Sequence, residues 1–365
     1  MKKDDIATFF EPKGVVLVGA RRSPGFGYGI PQQLLEQGWS DRIHLVNPKG
    51  GEMHGLPVYK TVTDVPDPVN LAIVIIPAIH VPKALEEIAR RGIRHVIIES
   101  AGFIETDSKG AALQAEIKRI QEKHDLRVIG PNCIGLLNND NRFCTSLNLP
   151  EAFIKGNIAI VAQSGVFGNI LLDKLSLLNL YVSKTVTLGN RLDVNECEIL
   201  NYLRDDPSTE IVMLYLEGAA DGRLLTRTLA EVTVKKPVLV LKSGRTAQGK
   251  LATASHTGSL SGEDHLYEGM FKQTGAIRTE SLVELIDYAK TFATQPLPKG
   301  NRLGIITGSG SMGALATDAA IDAGLEVPMP SKTTIKKMKK IATDWMNVKN
   351  PLDVGPSSVF QQGLA

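Results

Sequence analysis

The sequence predicts an α/β protein, a Rossmann-like domain followed by flavodoxin-like domains, all built on parallel sheets. Three observations carry this. An apolar run empties three times into a glycine-containing turn and then a helix-like stretch: Val15–Val18 before Gly19, residues 158–161 before Gly165, and residues 303–306 before Gly308. The runs start 143 and 145 residues apart, as expected for successive α/β units that each open with a central strand. They are also uniformly apolar rather than alternating, which suits strands covered on both faces.

In the first unit further buried-strand runs occur at Ile43–Val46, residues 71–76, His95–Ile98 and Arg127–Ile129, with amphipathic helical stretches between them. The helix after the first glycine loop is expected to run to about Gln37. This unit reads as a doubly wound nucleotide-binding domain. The second unit supplies residues 182–188, Ile211–Leu216 and residues 238–241 after its opening strand, and predicts a smaller sheet of flavodoxin type. Residues 295–300, Gln-Pro-Leu-Pro-Lys-Gly, have linker composition. The third unit shows one clear strand and a helix, and reads as truncated or as part of a longer gene product. The expected domains are therefore 1–145, 146–297 and 298–365.

Composition narrows the function. A chain of 365 residues with 43% hydrophobic residues can build two or three ordinary cores. Its 41 basic and 39 acidic residues leave a net charge of +2, so no global field draws nucleic acid or an anionic membrane, and anion binding must be local. Cys133, Cys144 and Cys197 are too few and too scattered for a disulfide framework or a zinc site, and no metal site is expected. No run approaches 18 apolar residues and the N-terminus has no signal-peptide core, so a cytoplasmic location is expected.

The chemistry centres on residues 254–262, Ala-Ser-His-Thr-Gly-Ser-Leu-Ser-Gly. Small residues let backbone N–H groups close around an anion, and a neutral imidazole is nucleophilic near pH 7 and leaves well once phosphorylated. His256 is thus a candidate phosphoryl carrier. A surface-loop histidine beside a glycine turn would have the same local signature. A carrier also needs a partner for its other ring N–H, and Glu217, at the end of an apolar strand, is one choice; Asp193, Glu196 and Glu198 are others. Gln163-Ser164-Gly165 opens a helix whose N–H groups could face the same phosphate.

The first glycine loop, Gly19-Ala20-Arg21-Arg22-Ser23-Pro24-Gly25-Phe26-Gly27, allows the backbone to approach a diphosphate, but it is longer than the compact dinucleotide fingerprint. The second strand ends in Asn47-Pro48-Lys49 where a dinucleotide site usually has an acid. A lysine there favours a phosphorylated ribose, as in NADP or coenzyme A. The next strand ends carry Pro77-Ala78, Ser100-Ala101-Gly102-Phe103 and Gly130-Pro131-Asn132-Cys133. Asn132 could donate to an acyl carbonyl, and Cys133 reads as packing or as a nucleophile.

Together these residues resemble the NDP-forming acyl-CoA synthetases, which include ADP-forming acetyl-CoA synthetase within the succinyl-CoA synthetase superfamily. Gly19, Arg21, Ser23, Gly25 and Gly27 with Asn47 and Lys49 resemble that family's CoA-binding loops, and the resemblance implies succinyl-CoA synthetase-type flavodoxin-like domains after the first. Pro77, Ser100, Ala101, Gly102, Asn132 and Cys133 resemble its strand-end loops around the thiol and acyl group. Ser164 and Gly165 resemble its phosphate-binding helix start; His256, Thr257, Gly258 and Ser259 its phosphohistidine loop; and Glu217 the glutamate that holds the ring. The implied reaction interconverts acyl-CoA, phosphate and ADP with carboxylic acid, CoA and ATP through an acyl phosphate and phosphorylated His256. ADP/ATP with Mg2+ is implied on an ATP-grasp domain or subunit, for which too few residues follow residue 300, and an oligomer is expected. Two other readings are a CoA- or acyl-CoA-sensing module of a protein lysine acetyltransferase, and an NADP-dependent oxidoreductase.

Overall fold

The computed structural model describes residues 3–146, 148, 150–257, 262–342, 346 and 348–355, with all their side chains except those of residues 3, 4 and 254–257. Residues 1–295 form one compact unit and residues 296–365 another.

The first unit holds two sheets of seven strands. In chain order the strands of the first sheet are β1 (Val15–Val18), β2 (Ile43–Val46), β3 (Glu52–Met53), β4 (Leu56–Tyr59), β5 (Leu71–Val74), β6 (His95–Ile98) and β7 (Arg127–Ile129). Those of the second are β8 (Leu136–Asn138), β9 (Phe143–Cys144), β10 (Ile158–Ala162), β11 (Val182–Thr187), β12 (Ile211–Leu216), β13 (Val238–Lys242) and β14 (Ile277–Thr279). Their orders are β3-β4-β2-β1-β5-β6-β7 and β14-β13-β12-β10-β11-β8-β9. In each sheet the opening central strand has its successor on one side and a later strand on the other. That arrangement is a topological switch point, where a crevice opens beyond the carboxyl ends of the strands.

The central strands β1, β5 and β10 are buried at every position, as their unbroken apolar sequence requires. Helices cover both faces, and side-chain caps start several of them: Asp107 accepts from Lys109 and Gly110, Asn195 from Cys197 and Glu198, and Asp221 from Leu224. One apolar core runs from the first sheet into the second. Trp39 packs on Phe143 at 4.7 Å between ring centroids, and Phe10 stacks on Tyr202 at 4.8 Å. At the seam the Arg127 guanidinium binds Asp5, Asp193 (2.9 Å) and Glu198 (2.6 Å).

The second sheet is not the smaller one expected. The antiparallel pair β8-β9 extends it beyond β11, and β3 similarly adds an antiparallel edge to the first sheet. These strands have two or three residues flanked by turn formers such as Asn139, Asp140 and Asn141, too short to show a period in sequence. The run 71–76 pairs only as far as Val74 before Pro77, and the first loop's helix is Ile30–Glu36.

In the unit of residues 296–365, the run 303–306 forms only the strand Ile306–Thr307, paired in parallel with Leu352–Asp353 and followed by the helix Gly310–Asp322. Ile306 is 74% exposed, so apolar burial does not support a longer ladder. No described helix of the chain is long and apolar enough to cross a membrane.

Candidate active site: a cleft and a cavity at two switch points

The first switch point opens a cleft of about 920 Å³ beyond β1, β2 and β5. Gly19 makes it possible: at φ +105°, a Cβ would lie 2.1 Å from the Ile75 carbonyl oxygen, so only glycine lets the loop leave β1 this close to β5. The two arginines stabilise the loop. Arg21 donates to the carbonyls of Ser23 (2.9 Å) and Pro24 (3.0 Å), and Arg22 to those of Gly50 (2.7 Å) and Glu52 (3.1 Å). Asn47 ties the two loops together, donating to the Ala20 carbonyl at 2.8 Å and accepting from the Lys49 N–H at 3.0 Å. Pro77 also lines the cleft.

Positive charge at the mouth comes from exposed lysines. Lys49 was identified from sequence; Lys60 and Lys83 join it from β4's end and the helix Val81–Arg90, with Thr61 and His80 beside them. Sequence reasoning missed these four because they belong to a strand end and a helix start that only the sheet order brings beside β1. None of the three lysines makes an ion pair among the described residues, so their charge is available to an anion.

The second switch point lies between β10 and β12, and a cavity of about 270 Å³ opens there. Ser164, Gly165 and Glu217 line it from the second sheet, and Ala101, Asn132 and Cys133 from the first. Ser164 caps the helix Gly165–Leu177 and so directs that helix's free N–H groups and partial positive charge at the cavity. Glu217 is 5% exposed, and Gln163 fixes its backbone: Oε1 accepts from the N–H of Glu217 (2.7 Å) and Gly218 (3.1 Å), and Nε2 donates to the Gly218 carbonyl (2.8 Å).

His256 and Thr257 end the helix Ala247–Thr257, but their side chains lie outside the described residues, as do Gly258 and Ser259 altogether. Lys242 ends β13, 4.6 Å from the Tyr267 ring and donating to the Ser243 carbonyl; burial lowers its pKa to about 8.

Several predicted residues prove to serve the scaffold, and of the strand-end residues Ser100 and Gly102 do not line the cavity while Ala101, Asn132 and Cys133 do. The Ser100 hydroxyl accepts from the Ile76 N–H at 3.0 Å, pinning β5's end to β6's. The Gly102 N–H donates to Glu105 at 2.7 Å. Asn132 already spends its side-chain nitrogen on Asn190 at 3.3 Å. The Cys133 thiol is buried, and burial with the neighbouring Glu99 carboxyl raises its pKa well above the ordinary thiol range, which favours packing over nucleophilic attack. Cys144 and Cys197 are likewise free and buried.

Glu99, directly after β6, was not anticipated. It is 2% exposed, lines the cavity, and neither carboxyl oxygen has a hydrogen-bond partner. The Thr145 hydroxyl stands against it, short of hydrogen-bond geometry, and lowers its pKa less than burial raises it, leaving it at about 8. A Glu in an apolar strand-end context was visible in sequence; its depth was not.

Comparison with known proteins agrees with this layout. A family model of a CoA binding domain matches residues 13–139, and one of a succinyl-CoA-ligase-like flavodoxin domain matches residues 155–292. This succession defines the class of the chain as a CoA-binding-type domain followed by a succinyl-CoA-ligase-like flavodoxin domain. The ADP-forming acetate–CoA ligase of Methanocaldococcus jannaschii is 41% identical over 94% of this chain and 48% of its own length. The α subunit of the ADP-forming acetate–CoA ligase I of Pyrococcus furiosus is 35% identical over 96% of this chain and 76% of its own. Among solved structures, the dinucleotide-forming acetyl-coenzyme A synthetase 1 of Ca. Korarchaeum cryptofilum, in complex with phosphate and ADP, superposes with a TM-score of 0.91 at 32% identity, covering 97% of this chain and 76% of that one. The chain belongs to the ADP-forming acetate–CoA ligase family. It spans about half the length of the M. jannaschii relative and of a second acetate–CoA ligase, from Archaeoglobus fulgidus.

Proposed function

We propose that this chain is the CoA-binding and phosphohistidine part of an ADP-forming acyl-CoA synthetase. The observation that carries the reading is the cavity at which the carboxyl ends of both sheets meet, with Ser164, Gly165 and Glu217 on one side and Ala101 and Asn132 on the other. A thioester entering along the lysine-rimmed cleft would bring its acyl end to the place where a helix start can hold phosphate. In this reading residues 1–145 bind CoA, 146–297 carry the phosphohistidine and 298–365 begin a further domain. Lys49 neutralises the ribose phosphate, while Gly19, Ser23, Gly25 and Gly27 let the backbone approach the diphosphate.

A phosphate oxygen attacks the thioester carbonyl carbon, and the C–S bond breaks to release CoA as its thiolate. The helix N–H groups after Ser164 hold the phosphate's charge as it shifts onto the acyl phosphate. A ring nitrogen of His256 then attacks phosphorus and the carboxylate leaves. Glu217 accepts the other ring N–H and offsets the positive charge that develops on the imidazole. Thr257, Gly258 and Ser259 supply main-chain donors to the phosphoryl oxygens. ADP, with Mg2+, receives the phosphoryl group on an ATP-grasp domain or subunit that works with this chain.

The acid is a small carboxylate such as acetate. Curated relatives also include a 4-hydroxybutyrate–CoA ligase (36% identical) and a trans-feruloyl-CoA synthase (28% identical). Incubating the chain with acetyl-CoA and radiolabelled phosphate tests the reading. The expected result is an acid-labile label on His256 with one CoA released per label, lost in His256→Asn and strongly reduced in Glu217→Gln. CoA binding without any label would overturn it.

A further inference from the structure

Asn132 and Asn190 line the cavity and belong to a polar chain whose direction is set, behind the cavity wall, by a carboxylate. Glu105 Oε1 accepts from the backbone N–H groups of Gly102 (2.7 Å) and Phe103 (3.0 Å), which fixes the carboxylate. Glu105 Oε2 accepts from Asn190 Nδ2 at 2.6 Å, and Gln114 Oε1 accepts from the same nitrogen at 2.9 Å. Asn190 Oδ1 in turn accepts from Asn132 Nδ2 at 3.3 Å. Despite burial, these donors hold Glu105 below its ordinary pKa, so it is ionised and can only accept. An ionised acceptor leaves Asn190 one orientation, nitrogen toward Glu105 and oxygen toward Asn132. Asn190 then leaves Asn132 one orientation as well. The backbone holds both amides in place: Asn132 N–H donates to the Ser100 carbonyl (3.0 Å) and Asn190 N–H to the Pro131 carbonyl (2.8 Å).

We infer that Glu105 and Asn190 are positioning residues that set the polarity of Asn132, so that its amide oxygen is the end left free for a ligand in the cavity. The inference rests on the proposal that this cavity receives the sulfur end of CoA. Asn132 Oδ1 then accepts from the thiol S–H of free CoA and finds no donor on the sulfur of a thioester. The site thereby favours CoA over acyl-CoA, which helps thiol stay bound as substrate in the ligation direction.

The relay makes a parity prediction. In Glu105→Gln, the retained side-chain oxygen still accepts from Gly102 and Phe103, so the new amide nitrogen faces Asn190. Asn190 must turn its oxygen toward that nitrogen and its own nitrogen toward Asn132, and Asn132 must turn its nitrogen toward the cavity. Adding Asn190→Asp restores the original direction, because the introduced carboxylate accepts both from the new amide and from Asn132. Calorimetric titration with CoA and with acetyl-CoA, on the full chain, reads the ratio of the two dissociation constants. Glu105→Gln is expected to shift that ratio toward acetyl-CoA by about five- to tenfold, the worth of one hydrogen bond gained or lost. The Glu105→Gln, Asn190→Asp double variant is expected to return it to within about twofold of wild type. A ratio unchanged in Glu105→Gln, or a double variant that behaves like the single one, overturns the relay while leaving the cavity's assignment intact. A wild-type chain that binds neither thiol nor thioester overturns the assignment and the relay with it.

Discussion

Replacing Glu99 with glutamine should reverse in effect between acid and alkaline pH. Burial raises this carboxyl from 4.5 to about 8, so the folded protein keeps a proton that the unfolded chain releases near pH 4.5. Between those values the unfolded state binds fewer protons, and stability therefore falls as pH rises through that window. The shift of roughly 3.5 pH units, at about 1.4 kcal/mol each, corresponds to about 5 kcal/mol lost by pH 8. The substituted side chain does not titrate, but brings an amide to a site where neither oxygen of Glu99 finds a partner, at a cost of about 1–3 kcal/mol. Glu99→Gln should thus be about 1–3 kcal/mol less stable than wild type near pH 5 and about 2–4 kcal/mol more stable near pH 9. Denaturant titrations across pH 5 to 9, followed by the fluorescence of the fully buried Trp39, measure the difference. A difference that stays constant with pH would show that Glu99 is ionised in the folded protein, and would refute the reasoning.

Two further outcomes test other parts of the molecule. Lys49→Ala should weaken CoA binding by about fivefold while leaving dephospho-CoA unchanged, since an exposed lysine contributes on the order of 1 kcal/mol to a phosphate and nothing to its absence; equal losses for both ligands would place the ribose phosphate elsewhere. Arg127→Met removes the cation shared by Asp5, Asp193 and Glu198 and should cost about 3 kcal/mol, read as a lowered denaturation midpoint at pH 7 that recovers partly as the carboxylates are protonated on acidification.

Legibility followed length and burial. Strands of four or more uniformly apolar residues, β1 and β12 among them, stood where the sequence placed them, because burial on both faces leaves no polar alternation to confuse. The short antiparallel strands β3, β8 and β9 escaped, since two or three residues carry no period and their pairing is decided by distant partners such as Lys184 opposite Asn138. The glycine loops announced where backbone comes close to something. What they approach, and that Arg21 and Arg22 turn inward on loop carbonyls, emerged only from the folded chain.

The sequence alone determined the α/β class, the strand-opening glycine turns and the set of residue types at the strand ends, because local apolar runs and turn chemistry act over a few residues at a time. The tertiary structure decided which strand ends share a cavity. Sheet order places Ser164 beside Glu217, and both across from Asn132, although they are separated by tens of residues in the chain. It also decided the state of the groups there. The burial that raises Glu99, and the donors that keep Glu105 ionised, are properties of packing and have no counterpart in the order of the residues.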